Sequence, residues 1–239
     1  MAITALLIDI EGTTVPIQFV HGSMFQYAKD CVEDFIRYSC DSEELKNLLK
    51  EIETEFNRMG EISQAVNLEC NEESIVFFSG IIKKLIDKDS KFWALKELEG
   101  QIWKEGFEKG ALKCELYPDV KENIQKWKNA GKRIFIYSSG SVLSQKLLFS
   151  HTSDGDVSEM IDGYFDTKVG NKKSKESYFR IANLIGKSER NILFLSDSEE
   201  EIIAAESAGM LCYLVKRDVN DNHKFTGFRV INNFEEIAI

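Results

Sequence analysis

Proline is nearly absent, with two residues in a chain of 239, and only fifteen glycines occur. That excludes a long proline- or glycine-rich linker and any low-complexity segment. Positive charge is in deficit: 30 Lys and Arg face 40 Asp and Glu, a net charge of −10. A nucleic-acid partner needs basic surface to neutralise phosphates, so that class is excluded. An anionic substrate has to be held by local positive charge against the overall field. The five cysteines (31, 40, 70, 114 and 212) are odd in number and include no CxxC pair. Reduced thiols in a cytosolic protein are therefore expected, and a disulfide framework is not. The three histidines, His21, His151 and His223, lack metal-ligand spacing; His21, near the end of the first strand, is a weak candidate for substrate contact. No apolar run approaches the roughly 20 residues of a membrane span. A first strand expected from residue 3 leaves no room for a leader ahead of it, and no internal repeat is seen.

What is present supports an ordinary core, with 43% hydrophobic residues. Residues 3–9 form a run that is apolar apart from Thr4 and the closing Asp9, too short for a helix and consistent with a buried strand. From about residue 19 to 110 the period is helical. In "EELKNLLKEIETEFNRM", Leu45, Leu48, Leu49, Ile52, Phe56 and Met59 share one face. Phe92, Leu95, Leu98, Ile102 and Phe107 repeat that pattern, and the aromatics Phe92, Trp93, Trp103 and Phe107 read as core. About four helices are expected here. After "YPDV" the chain alternates. "DVKENIQKWKNAG" is a helix, "RIFIYSSGS" a strand, "VLSQKLLFS" a helix and "GYFDTKVG" a short strand and turn. "KESYFRIANLIG" is a helix, "NILFLSDS" a strand, "EEEIIAAESAG" a helix, and "LCYLVK" and "FRVI" are closing strands. This alternation predicts an α/β protein, a parallel sheet with helices on both faces. The expected domains are a core of residues 1–16 and 116–239 and a helical block, 17–115, inserted after the first strand.

In open α/β sheets ligands bind beyond the carboxyl ends of the strands. Those ends carry Asp9 and Glu11, then Ser138, Ser139 and Gly140, then Asp197, with Lys172 after the short strand. Asp9 and Asp197 supply hard oxygen ligands suited to Mg²⁺ with substrate phosphate, and a carboxylate can also attack phosphorus and form an aspartyl-phosphate. Ser138, Ser139 and the N–H groups near Gly140 can cradle phosphate oxygens at a helix start. Lys172 neutralises a transferred phosphoryl group. Glu11 can protonate a leaving oxygen. Each feature has a plainer reading alone: Asp9 as a cap or turn residue, "SSGS" as a loop, Lys168, Lys172, Lys173 and Lys175 as a solvated cluster, "DSEEE" as acids at a helix start. Four such groups in order on one sheet make coincidence a poor account.

The segments "LLIDIEGTT.PI.FV", "IYSSGSV..QKLLF", "DGYFDTKVGNK", "ESY..IA" and "NILFLSD...E" resemble the haloacid-dehalogenase-like phosphohydrolases. Within them they are most similar to the enolase-phosphatases of methionine salvage, the acireductone synthases. Glu rather than Asp at the second acidic position is typical of that family. The resemblance covers both ends of the α/β part and is weaker in the insert. It implies a Rossmann-like, doubly wound core with an inserted helical cap. The implied activity is conversion of 2,3-diketo-5-methylthiopentyl 1-phosphate to 1,2-dihydroxy-3-oxo-5-methylthiopentene by enolisation and then dephosphorylation. It also implies one Mg²⁺ per subunit, a monomer and a cytoplasmic location, with the nucleus as well in a eukaryote.

By position, the resemblance implies Asp9 as nucleophile and metal ligand, Glu11 as metal ligand through its backbone carbonyl, and Asp197 as the second metal carboxylate. Ser138, Ser139 and Lys172 would bind phosphate, Gly140 would shape their loop, and Glu201 would support the metal or Lys172. Glu11 is one candidate for the enolisation base. The chain departs from the family at 216–221, "KRDVND", where "RPGNA" is usual; that loop is expected to leave the four catalytic motifs untouched. Three rivals stay open: a small-molecule phosphatase without enolisation, a phospho-accepting signalling module, and a catalytically dead binding protein.

Overall fold

The computed structural model describes residues 2–60, 70–218, 227 and 229–239. The chain divides into two compact units, Met1–Val20 with Lys113–Ile239, and His21–Leu112. These breaks lie a few residues from the expected 16/17 and 115/116. Residues 17–20 stay with the first unit because the chain leaves the sheet through a tight turn: Gly12 N–H bonds Val15 O and Phe19 N–H bonds Pro16 O.

The first unit is built on six parallel strands: β1 (Ala5–Ile8), β2 (Arg133–Tyr137), β3 (Gly163–Phe165), β4 (Ile192–Ser196), β5 (Leu211–Val215) and β6 (Val230–Ile231). Their order is β3-β2-β1-β4-β5-β6. The chain runs outward from β1 in one direction and from β4 in the other, so the order reverses between these central strands. That reversal is where an α/β sheet opens a crevice. β1 and β4 are wholly buried, which explains their unbroken apolar sequence. Leu7, Phe135, Tyr137 and Phe194 pack on one face against Tyr178 and Ile181 of α7 (Lys175–Ile185) and Ile202 and Ala205 of α8 (Glu199–Ser207). Leu6, Ile8, Ile134, Ile136, Leu193 and Leu195 alternate to the other face and are equally buried. There, α5 (Val120–Asn129) packs on β2 and α6 (Val142–Ser150) on β3.

The second unit contains α1 (Phe25–Ser39), α2 (Glu43–Arg58), α3 (Glu72–Asp87) and α4 (Trp93–Glu108), with α1 and α2 each packed on α3 and α4. Ser42 and Asn71 cap α2 and α3 by accepting the Leu45 and Ser74 N–H groups, satisfying orphan donors of the first turn. Leu45, Leu48, Leu49, Ile52 and Phe56 are buried as the periodicity predicts, but Met59 and Trp93 are exposed. Both sit at helix ends: Met59 caps α2 and Trp93 begins α4. The facing helix is missing at such ends, so periodicity overstates burial.

The expectation of five free thiols also fails, because Cys40 and Cys70 are joined in a disulfide. Cys40 caps the end of α1 and Cys70 immediately precedes the cap of α3. Packing of α1 on α3 brings together two residues 30 apart in sequence, which a local spacing rule does not detect. Cys31, Cys114 and Cys212 are free. Among the described residues no helix is long and apolar enough to cross a membrane.

Candidate active site

Ile8 pairs with Ile136 on one side and Leu195 on the other. The three central strands therefore end level, and the residues just beyond, Asp9, Ser138 and Asp197, converge at one edge. Asp9 N–H bonds Leu195 O at 2.9 Å, extending the ladder one residue and fixing the carboxylate's base. The chain then folds back: Thr14 and Val15 N–H groups both reach Ile10 O, at 2.8 and 2.9 Å, and Thr14 Oγ1 bonds Asp9 O at 3.2 Å. Gly12 makes the turn possible. Its φ is +69°, and a Cβ there would lie 2.3 Å from Asp197 Oδ2, so no other residue fits without moving Asp197.

Lys172 Nζ lies 2.5 Å from Asp9 Oδ1 and 2.8 Å from Glu201 Oε2. Its loop is held by side chains on both sides. Tyr178 Oη donates to Lys172 O at 2.7 Å, Ser177 Oγ to Asn171 O at 2.7 Å, and Tyr137 Oη to Gly170 O at 3.0 Å. Ser196 Oγ donates to Glu201 Oε2 at 2.8 Å. Asp9, Glu11, Ile17, Ser138, Ser139, Lys172, Asp197 and Glu201 line one cleft of about 180 Å³. Gly140 lies behind it, its N–H on Ser138 Oγ at 3.3 Å.

Four of those lining residues are carboxylic acids and one is an ammonium. Burial and the charge of Asp9 push Asp197 up to about 6, with Lys216 and Lys172 opposing. Burial, then Asp9, also raises Glu201. Burial disfavours the Lys172 charge, but Asp9 and Glu201 hold it above the ordinary lysine range. Negative charge in excess, held by rigid strand ends, suits a hard divalent cation bound by Asp9, Asp197 and Glu11.

A haloacid dehalogenase-like hydrolase model matches residues 3–209. The chain belongs to that family. It is 41% identical to "Enolase-phosphatase E1" of Sulfurihydrogenibium sp. over 99% of this chain and 98% of the relative. It is 37% identical to "Enolase-phosphatase E1" of Drosophila melanogaster, covering 97% and 91%. The crystal structure of the UTR4 protein of Saccharomyces cerevisiae superposes with a TM-score of 0.77 at 32% identity, over 98% of this chain and 100% of that one.

In this hydrolase the remaining candidates separate. Of the lysine cluster only Lys172 reaches the cleft; Lys173 pairs with Glu200, and Lys168 and Lys175 are exposed. His21 stacks edge-on against Phe25 in the helical unit, and His151 bonds Leu147 O at the end of α6. His223 lies outside the described residues, as do positions 219–221 of the divergent loop. Its described part overturns the expectation that the loop leaves the catalytic motifs alone. Lys216 Nζ donates to Asp197 O at 2.7 Å. Arg217 donates to Thr13 O through Nε at 3.0 Å and through Nη2 at 2.6 Å, pairs with Asp119 at 2.8 Å, and lies against the Tyr117 and Phe234 rings. Two basic side chains thus brace the backbone of the Asp9 and Asp197 loops. Only the divergence from the family pattern pointed to this segment, and nothing in it marked the contacts.

The raised Asp197 gives a stability prediction. Its folded value, about 6, exceeds the ordinary 3.8, so the folded state binds more protons between about pH 4 and 6 and loses stability as pH rises through that window. Asp197→Asn removes this cost. In metal-free enzyme at pH 8 its melting temperature is expected to rise by about 3–8 °C, corresponding to roughly 1–3 kcal/mol. The gain is expected to vanish at pH 4. Scanning calorimetry of chelator-treated protein at both pH values checks this; an equal shift at both removes the charge explanation.

Proposed function

We propose that this hydrolase is an acireductone synthase, a bifunctional enolase-phosphatase of methionine salvage. It enolises 2,3-diketo-5-methylthiopentyl 1-phosphate and then removes the phosphate to give 1,2-dihydroxy-3-oxo-5-methylthiopentene. One observation carries this reading: the ends of β1, β2 and β4 and the loop after β3 deliver Asp9, Ser138, Asp197 and Lys172 to a single cleft. The enolase-phosphatase names of near full-length relatives narrow it from phosphate-ester hydrolysis to this substrate.

In this reading an Asp9 carboxylate oxygen attacks phosphorus, and the bond from phosphorus to the substrate oxygen breaks. Glu11 donates a proton to the departing oxygen. Water, passing a proton to the Glu11 carboxylate, then attacks the aspartyl-phosphate; the bond from phosphorus to the Asp9 oxygen breaks, which releases phosphate and restores both side chains. Lys172, Ser138 and Ser139 hold the phosphoryl oxygens throughout. Glu201, 2.8 Å from the Lys172 ammonium, is its second carboxylate partner beside Asp9 and keeps it in place. Asp9, Asp197 and the Glu11 backbone carbonyl would hold Mg²⁺, which when bound adds positive charge beside the phosphoryl oxygens. Glu11 is also one candidate for the base of enolisation, in which a proton leaves the carbon next to a carbonyl. The reading includes one Mg²⁺ per subunit, a monomer, a small phosphorylated diketone as the sole partner, and the cytoplasm as compartment. In this reading residues 17–115 are the inserted helical cap domain.

The test uses the diketo phosphate with Mg²⁺ in the absence of oxygen, following enol absorbance and free phosphate together. An enol signal that rises before phosphate is the expected result. Phosphate released only from simpler esters, with no enol, would leave the phosphatase and remove the enolase.

A further inference from the structure

We infer that Gln145 is the residue that sets the shape of the phosphate loop. The inference rests on the reading of Ser138 and Ser139 as phosphate ligands. Gln145 belongs to the "QKLLF" segment that follows the serines, yet no step of the mechanism uses it. It is 1% exposed, on the first turn of α6. Its Nε2 donates to Gly140 O at 2.9 Å and to Phe165 O at 2.8 Å.

Both partners are backbone carbonyls, which can only accept, so the orientation of the amide is unambiguous. Both of its N–H groups are committed. Phe165 O, at the end of β3, also accepts the Ser138 N–H at 3.1 Å. One amide therefore ties the far end of the serine loop to the strand that already holds its near end. Because a trans peptide points its C=O and the next N–H to opposite sides, drawing Gly140 O inward to Gln145 turns the Ser141 N–H away from it. The Ser138–Gly140 segment is thus pinned at both ends, with its donors held in place before phosphate arrives.

The amide oxygen sharpens the point. Gln145 Oε1 is buried and has no hydrogen-bond partner among the described residues. A buried unpaired carbonyl destabilises a fold. Against that cost the position gains two N–H···O bonds to the Gly140 and Phe165 carbonyls, so what it supplies is the double donor. Gln145 is accordingly a positioning residue: it touches no substrate and acts through the Ser138–Gly140 backbone.

The test compares Gln145→Met, Gln145→Glu and Ser138→Ala, using inorganic phosphate as a competitive inhibitor. Misplacing a binding loop by an ångström costs up to about 100-fold. Gln145→Met is expected to raise both the phosphate inhibition constant and KM about tenfold or more. Mg²⁺ affinity, measured by calorimetry without phosphate, is expected to stay within about twofold, because that loop carries no proposed metal ligand.

Gln145→Glu adds a signature that general loosening would not produce. Ionised, it sets a carboxylate against two carbonyl oxygens; protonated, it regains one donor. Its phosphate affinity relative to wild type is expected to recover as pH falls from 8 to 6. Unchanged phosphate inhibition in Gln145→Met beside weakened inhibition in Ser138→Ala overturns the inference alone. Unchanged inhibition in both variants overturns the phosphate-site reading with it. Parallel losses of phosphate affinity, Mg²⁺ affinity and melting temperature would reduce Gln145 to a packing role and also overturn the inference.

Discussion

Asp9→Asn is expected to cut phosphate release by about 10⁴-fold or more while the protein stays folded and at least as stable as the parent. The side chain is nearly isosteric, and the hydrogen bond that places it, from Asp9 N–H to Leu195 O, belongs to the backbone. Lys172 keeps Glu201 at 2.8 Å as a partner. The charge of Asp9 also helps to raise both Asp197 and Glu201, so neutralising it relieves two buried acids. What disappears is the nucleophile: an amide cannot form the acyl phosphate. Enolisation does not require that bond, so enol is expected to build up without phosphate when the diketo phosphate is supplied. Parallel recordings of enol absorbance, phosphate and thermal melting check all three statements. Phosphate turnover within about a hundredfold of the parent would remove Asp9 as nucleophile.

Lys172→Met is expected to lose activity and stability together, unlike Asp9→Asn. Its ammonium is buried between two carboxylates, Asp9 and Glu201. Removing one partner of a buried ion pair leaves uncompensated charge and costs about 3–5 kcal/mol. For a chain of this size that corresponds to a fall in melting temperature of roughly 6–15 °C at pH 8. Glu201 already holds its proton above the ordinary glutamate range, and loss of the neighbouring cation raises it further. At pH 5.5 it is neutral, its repulsion with Asp9 is gone, and the melting deficit is expected to shrink. Catalysis is expected to drop about 10²–10³-fold from loss of charge beside the phosphoryl group. Melting curves at the two pH values and kcat at saturating substrate are the measurements. An identical deficit at both pH values would show that methionine misfits the space and that charge is not the cause.

Much of the core was legible because its signals are local. β1 and β4 are short unbroken apolar runs, and such runs become strands buried on both faces. A carboxylate stands just beyond the end of each strand, Asp9 after β1 and Asp197 after β4. The helices of the inserted block announced themselves by a 3.6-residue repeat, which failed at Met59 at the end of α2, while Trp93, read as a core aromatic, is exposed at the start of α4. Glycines at helix exits also carried the right message, as at Gly186 with φ +72°. The strand-end residues could be nominated one by one from this pattern alone.

What the sequence by itself determined is therefore the set of elements, their α/β class and the residues standing at their ends. Each follows from periodicity and burial within a dozen residues of chain. The tertiary structure alone decided who meets whom. Asp9 and Lys172 are 163 residues apart, Arg217 and Thr13 are 204 apart, and Cys40 finds Cys70 only because α1 packs on α3. By composition Glu201 is one of three acids opening a helix; the resemblance set it apart from Glu199 and Glu200, and the approach of the Lys172 loop supplies the physical reason. Such pairings depend on strand order and loop path, properties of the assembled sheet that no local repeat encodes.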